Sequence, residues 1–146
     1  MQGTLAAFDG TMDQETRRLV LAVEDDQPIG RIVTEAINDE PGYRAVHIAD
    51  PSRALALLAQ LVPDLLVMDV QLPGMSGLEL YEAMRSATRT RRIPVLFETA
   101  NGTAHADEFR RLGVASYLGK PFDIWELVAY VKQLAPRRPF SVRATN

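Results

Sequence analysis

Five side chains in this sequence have types suited to chemistry, and each stands at or just past the end of a short apolar run. Glu24 and Asp25 follow Leu19 to Val23, Asp69 follows Leu65 to Met68, Thr99 closes the run that starts at Ile93, and Lys120 follows Val114 to Leu118. Three carboxylates brought together repel one another, which raises the cost of ionising all of them. A hard divalent cation with oxygen ligands resolves that conflict, and Mg²⁺ is commonly held by one or two carboxylates, waters and phosphate oxygens. An aspartate carboxylate is a competent nucleophile toward a phosphoryl group, giving an acyl phosphate. The charge on the transferred group's oxygens would be met by Lys120, by the Thr99 hydroxyl and by the cation.

Taken singly, each of these residues has a plainer reading. Glu24 to Asp26 fits a solvated strand end feeding a helix N-terminus, where negative charge is favoured. Thr99 alone is an ordinary strand residue, Lys120 a surface lysine and Tyr117 core. His47, His105 and Trp125 fall in no metal-binding or catalytic pattern and are read as structural or exposed. The chemistry requires that the four runs be neighbours.

The elements that would make them so are legible. The first run stops at Glu24, Asp25 and Asp26, and Pro28 follows in a place suited to a first helical turn. Ile29, Ile32, Val33, Ala36 and Ile37 then form one apolar stripe. Ala45 to Ile48 reads as a second strand, and Ser52 as the cap of a helix carrying Leu55, Leu58 and Leu61 that Pro63 closes. After Asp69, the loop Pro73-Gly74-Met75-Ser76-Gly77 leads into a helix with Leu80, Tyr81 and Met84. Ile93 to Phe97 is the fourth strand, His105 to Leu112 lies in a polar helix stopped by Gly113, and Val114 to Leu118 is the fifth strand. Asp123 caps a last helix presenting Ile124, Leu127, Val128 and Val131. Continuous apolar strands alternating with amphipathic helices predict a parallel sheet covered on both faces. In such a sheet, ligands bind beyond the carboxyl ends of the strands.

Composition bounds the rest. The chain has 146 residues with 47% hydrophobic and 24% charged, the proportions of one globular domain. It has no cysteine, which excludes disulfides, thiolate metal sites and cysteine nucleophiles. A formal charge of −3 gives no reason to expect nucleic-acid or anionic-membrane binding. No apolar run is long enough to span a bilayer and no signal peptide is apparent, so a cytoplasmic location is expected. Residues 1–17 read as an extension with a short helix around Asp13 to Arg18, residues 18–135 as the domain, and residues 136–146 as a loosely held basic tail. Phe8-Asp9-Gly10-Thr11 is similar to part of the nucleophile loop of haloacid-dehalogenase-like phosphatases, but Ala7 stands where that loop needs its aspartate.

The ordered set Glu24-Asp25-Asp26, the run Met68 to Gly77, Glu98-Thr99-Ala100 and the run Tyr117 to Phe122 resembles the receiver domain of bacterial two-component response regulators, over residues 18 to about 135. The resemblance implies a flavodoxin-like doubly wound (βα)5 fold with a five-stranded parallel sheet in the order 2-1-3-4-5. It implies that Asp69 is the phosphoacceptor, and that Asp25 ligates Mg²⁺ while Glu24 acts largely through water. Gln71 would give its backbone carbonyl to the metal, and Thr99 and Lys120 would contact phosphoryl oxygens. Ala100 would leave room for the phosphate, and the Lys120–Pro121 bond is expected to be cis. Thr99 and Tyr117 would be the switch pair, the aromatic following the threonine inward on phosphorylation. Gln71 and Asn101 match positions that tune the phosphoryl lifetime.

Two departures from the family pattern stand out. The acidic pair is Glu-Asp, with Asp26 leaving open a shifted pairing of Asp25 with Asp26. Glu98 occupies a place where an apolar residue is usual; buried alone it would be costly, so a partner or an edge position is expected. The implied partners are a histidine kinase or histidine phosphotransfer protein and a downstream protein target. With only Ala135 to Asn146 after the last helix, a stand-alone switch is expected, its output being protein–protein contact, dimerisation or onward phosphoryl transfer. The alternatives are a receiver segment of a longer hybrid kinase or regulator, and a non-phosphorylated scaffold of the same fold.

Overall fold

The structure is a computed structural model and describes residues 16–139. Five strands are present among them: β1 (Arg18–Val23), β2 (Tyr43–Ile48), β3 (Leu65–Asp69), β4 (Val95–Thr99) and β5 (Tyr117–Gly119). Five helices alternate with these strands: α1 (Gln27–Asn38), α2 (Pro51–Leu58), α3 (Gly77–Ser86), α4 (Gly102–Leu112) and α5 (Ile124–Leu134). All strand pairs are parallel and the sheet order is β2-β1-β3-β4-β5, as expected. The helix expected around Asp13 and the Phe8 to Thr11 segment lie outside the described residues, while Arg18 opens β1.

Alternation along the strands explains why they read as unbroken apolar runs. Val20, Ala22, Leu65, Val67, Leu96 and Leu118 point to one face, where Val33 and Ile37 of α1 and Leu127 and Val131 of α5 cover them. Leu21, Val23, Leu66, Met68 and Phe97 point to the other, under Ala54, Leu80, Met84 and Phe109 of α2, α3 and α4. Burial on both faces keeps the interior strands β1, β3 and β4 apolar except at their ends, whereas the edge strand β2 carries Arg44 and His47.

Helix starts follow cap chemistry, with one correction. Asp26, Ser76, Asn101 and Asp123 accept backbone N–H groups at the first turns of α1, α3, α4 and α5. At α2 the cap is Asp50 rather than Ser52: its carboxylate accepts from the Ser52 N–H at 2.9 Å and from the Ser52 hydroxyl at 2.7 Å. Pro51 then takes the first helical position, where a missing N–H costs nothing. That helix ends at Leu58, with turn bonds from Gln60 and Leu61 to the Leu57 carbonyl, before Pro63 is reached. The segment read as a loose tail is fastened at its start. Arg18 donates to the Pro136 carbonyl at 2.7 Å, and both Arg18 and Arg138 pair with Asp64.

Candidate functional site

Register decides which side chains meet at the carboxyl rim of the sheet. Val23 pairs with Met68 and Asp69 pairs with Glu98, so Glu24, just past β1, stands beside Asp69 of β3 and Glu98 of β4. By alternation all three lie on the face covered by α1 and α5. Lys120, two residues past Leu118, joins the same face.

The result is a compact charged pocket. The Lys120 ammonium donates to Asp69 Oδ2 at 2.6 Å and to Glu24 Oε2 at 3.3 Å. The other Asp69 oxygen accepts the Gln71 N–H at 2.9 Å, and the other Glu24 oxygen accepts the Asp26 N–H at 3.2 Å. Glu24 and Asp69 are buried and Asp25 is exposed, yet one carboxylate oxygen from each lies within 4.8 Å of the others. The Asp26 carboxylate instead accepts the Ile29 N–H at 3.1 Å and lies outside that cluster of three.

Backbone bonds hold the rim in place. Val70 N–H donates to the Glu98 carbonyl at 3.0 Å and Lys120 N–H to the Thr99 carbonyl at 2.8 Å. The Lys120–Pro121 bond is cis. The loop after Asp69 returns so closely that Gly77 N–H reaches the Val70 carbonyl at 2.9 Å, and a Cβ at Gly77 would lie 2.3 Å from the Asp69 carbonyl oxygen. Only glycine admits that approach.

The electrostatics are those of an under-neutralised acidic site. Burial pushes the Glu24 carboxyl up, against the hydrogen bond it shares with Glu98. Glu98 is pushed to about 9, first by burial and then by the hydrogen bond and charge of Glu24. Burial pulls the Lys120 ammonium down, but the Asp69 hydrogen bond and the charges of Asp69, Glu24 and Glu98 outweigh it and its pKa is raised. One ammonium thus faces three clustered carboxylates. The donor set, three oxygen ligands with one opposing cation, fits a hard divalent ion such as Mg²⁺.

Other expected residues sit around this pocket rather than in it. Thr99 is buried and its hydroxyl accepts the Asn101 N–H at 3.1 Å. Alternation turns it toward the α2–α4 face, away from Asp69 and Glu98. Tyr117 is 40% exposed and packs on Phe109 at 4.7 Å. Gly102 lies between the two: a Cβ there would be 3.3 Å from the Tyr117 ring and 3.7 Å from the Thr99 methyl. The side chain of Asn101 caps α4 by accepting the Ala104 N–H at 3.2 Å. Ala100, Gln71 and Pro121 are exposed at the rim.

Two residues beside the pocket were given no place in it from the sequence. Glu98 was expected at an edge or with a partner; it is 2% exposed in the interior strand β4, its Oε2 has no hydrogen-bond partner, and burial beside Glu24 pushes its carboxyl up. Its signal was its place in the run, since it lies in register with Asp69. His47, read as structural, brings Nε2 to 2.6 Å from the Glu24 carbonyl oxygen. The alternation Tyr43, Ala45, His47 could have placed it on the α1 face.

The model of the response regulator receiver domain matches residues 20–132. The chain belongs to the response regulator receiver family. Among curated relatives, this receiver domain is 37% identical over 122 residues to the phosphate regulon transcriptional regulatory protein of Klebsiella pneumoniae, covering 82% of the chain and 52% of the relative. It thus spans about half the length of that regulator. It is 32% identical over 118 residues to sporulation initiation phosphotransferase F of Bacillus subtilis, covering 80% of the chain and 93% of the relative. Among solved structures, the receiver domain of a sensor histidine kinase from Pseudomonas aeruginosa, with magnesium coordinated in its active site cleft, superposes with a TM-score of 0.70 at 29% identity, over 82% of this chain and 98% of that one. Receiver domains are switches of two-component signalling, and this one carries the acidic cluster at its rim. Among the described residues no helix is long and apolar enough to cross a membrane.

Proposed function

We propose that this receiver module, residues 18–135, takes a phosphoryl group on Asp69 from a phosphohistidine of a histidine kinase or phosphotransfer protein, and so switches its contact with a downstream protein. The observation that carries this reading is the 2.6 Å pairing of Lys120 with Asp69, beside the oxygens of Glu24 and Asp25. In the reaction an oxygen–phosphorus bond forms at the Asp69 carboxylate as the nitrogen–phosphorus bond of the donor breaks, and the imidazole leaves. Glu24, Asp25, Asp69 and the Gln71 carbonyl would hold Mg²⁺, which when bound supplies positive charge to the carboxylates and phosphoryl oxygens. Lys120, already held at Asp69, transfers its hydrogen bond to a phosphoryl oxygen. Ala100 and Asn101 flank the group, and Pro121 fixes the loop that carries Lys120. Thr99 would turn its hydroxyl from the Asn101 N–H to the phosphoryl group, and Tyr117, its neighbour across Gly102, would move from its exposed position into the space released.

The test is incubation with acetyl phosphate and Mg²⁺, followed by intact mass. One added phosphoryl group in the wild type and none in Asp69→Asn is the expected outcome. An unmodified wild type, with beryllofluoride also failing to bind, favours a non-phosphorylated scaffold.

The leading architecture is a stand-alone switch, in keeping with the near-complete coverage of the sporulation phosphotransferase. The half-length match to the phosphate regulator supports a second reading, the receiver portion of a longer regulator with its own output domain. The mass of the endogenous protein separates the two.

A further inference from the structure

We infer that His47 and Gly30 form a positioning device that fixes the peptide joining Glu24 to Asp25, and with it the acidic half of the pocket. The inference rests on the metal reading of Glu24, Asp25 and Asp69 given above. The Glu24 N–H donates to the Ile48 carbonyl at 3.0 Å, which continues the β1–β2 ladder by one step. Past that step the chain leaves the sheet and the ladder supplies nothing to the Glu24 carbonyl. His47 supplies it: the imidazole Nε2 lies 2.6 Å from that oxygen. A carbonyl only accepts, so Nε2 carries the hydrogen and the tautomer is set.

The carbonyl belongs to the peptide unit that links the two acidic residues. Because that unit is planar, orienting its C=O orients the Cα bonds on both sides, and so the directions from which both carboxylates leave the chain. Glu24 then reaches Lys120 and the Asp26 N–H, while Asp25 projects into solvent with its carboxylate still in the cluster.

Helix α1 is shaped to permit this bond. Gly30 is buried directly over the ring, and a Cβ there would fall 2.2 Å from His47 Nε2, 2.3 Å from Cε1 and 2.6 Å from Cδ2. No side chain at position 30 leaves the imidazole where it is. The contact is with the reacting end of the ring, the atom that donates, so filling it would remove the bond rather than only loosen the packing.

The experiment compares His47→Leu, which keeps volume without a donor, His47→Gln, which keeps an amide N–H near the Nε2 position, and Gly30→Ala, which displaces the intact ring. Mg²⁺ affinity is read by calorimetric titration, and hydrogen exchange of the Glu24 and Asp26 amides is read in metal-free protein. Partners that orient metal ligands are typically worth about 10-fold or more in affinity. His47→Leu and Gly30→Ala should weaken Mg²⁺ about 10-fold and speed exchange at both amides, with His47→Gln within about 2-fold of wild type. Mg²⁺ binding by His47→Leu at wild-type affinity, or equal loss in His47→Gln, overturns the device. Should His47→Leu fail to fold, Gly30→Ala against His47→Gln decides by the same readouts. A wild type that binds no Mg²⁺ overturns the metal reading instead, and the exchange rates alone then judge the clamp.

Discussion

Phe97 and Glu98 are adjacent in β4 and almost equally buried, at 0% and 2% exposed, yet the two faces they enter satisfy them by opposite means. Phe97 joins a run of rings, 5.5 Å from Tyr81 edge-on and 5.5 Å from Phe109 in a stack that continues to Tyr117. Nothing there needs a proton or a partner charge. Glu98 faces Glu24, Asp69 and Lys120, and the cheapest way to bury it is to keep its proton and share it with Glu24. Interior position thus has no single meaning in this sheet: one face is apolar along its length, while on the other the apolar packing gives way at the carboxyl rim to clustered carboxylates and Lys120.

The comparison breaks most severely on the apolar face. Phe97→Ala removes the centre of the aromatic run and leaves a cavity that the packed strands cannot close, at a cost of about 3–5 kcal/mol. Urea denaturation should register it with no change in the pH dependence of stability. A loss under about 1 kcal/mol would mean that the cavity collapses, contrary to the packing described.

The charged face should show the reverse pattern. Glu98 keeps its proton up to about 9 in the fold, while an unfolded glutamate releases it near 4.5. Between those values the folded state binds a proton that the unfolded state does not, so this contribution is fully present below 4.5 and is lost as pH rises through about 9. In metal-free protein, urea melts at pH 6 and pH 8 should differ by on the order of 2 kcal/mol in favour of the lower pH. Glu98→Gln keeps the shape and a hydrogen-bond donor without the ionisation, and should flatten that slope. An unaltered slope in the variant would assign the pH dependence to other groups.

The same contrast explains what could be read before the fold was known. The apolar faces, the strand order and the Asp123 cap were legible because alternation, periodicity and cap chemistry are local or follow from a clear family pattern. Strand limits were less so. β4 begins at Val95 rather than Ile93 because Pro94 has no N–H for the ladder and the Ile93 N–H turns back to Thr90. β5 begins at Tyr117 rather than Val114 because the Val114 N–H closes α4 on the Phe109 carbonyl. The pocket's outer members were legible by type and order. Glu98 and His47 were not, since a carboxylate beside a carboxylate and an imidazole on a carbonyl acquire meaning only once register is known.

The smallest effect sharpens the comparison most, because it acts on one face alone. A cation bound only by the folded state stabilises it by RT ln(1 + [L]/Kd), about 1.4 kcal/mol at ten times Kd. Millimolar Mg²⁺ should therefore raise the melting temperature by a few degrees, a shift of the size expected for a domain of this length. Asp25 is exposed and its carboxylate caps no helix, so Asp25→Ala should leave baseline stability near wild type while abolishing the Mg²⁺ increment. Phe97→Ala should do the opposite, lowering the baseline and keeping the increment, provided the measurement is made where the variant is folded. Thermal melts with and without Mg²⁺ on the two variants form a crossed design. If Asp25→Ala retained the full increment, the ion would be binding elsewhere, and the carboxylates at the rim would be balanced by Lys120 and the Glu98 proton alone.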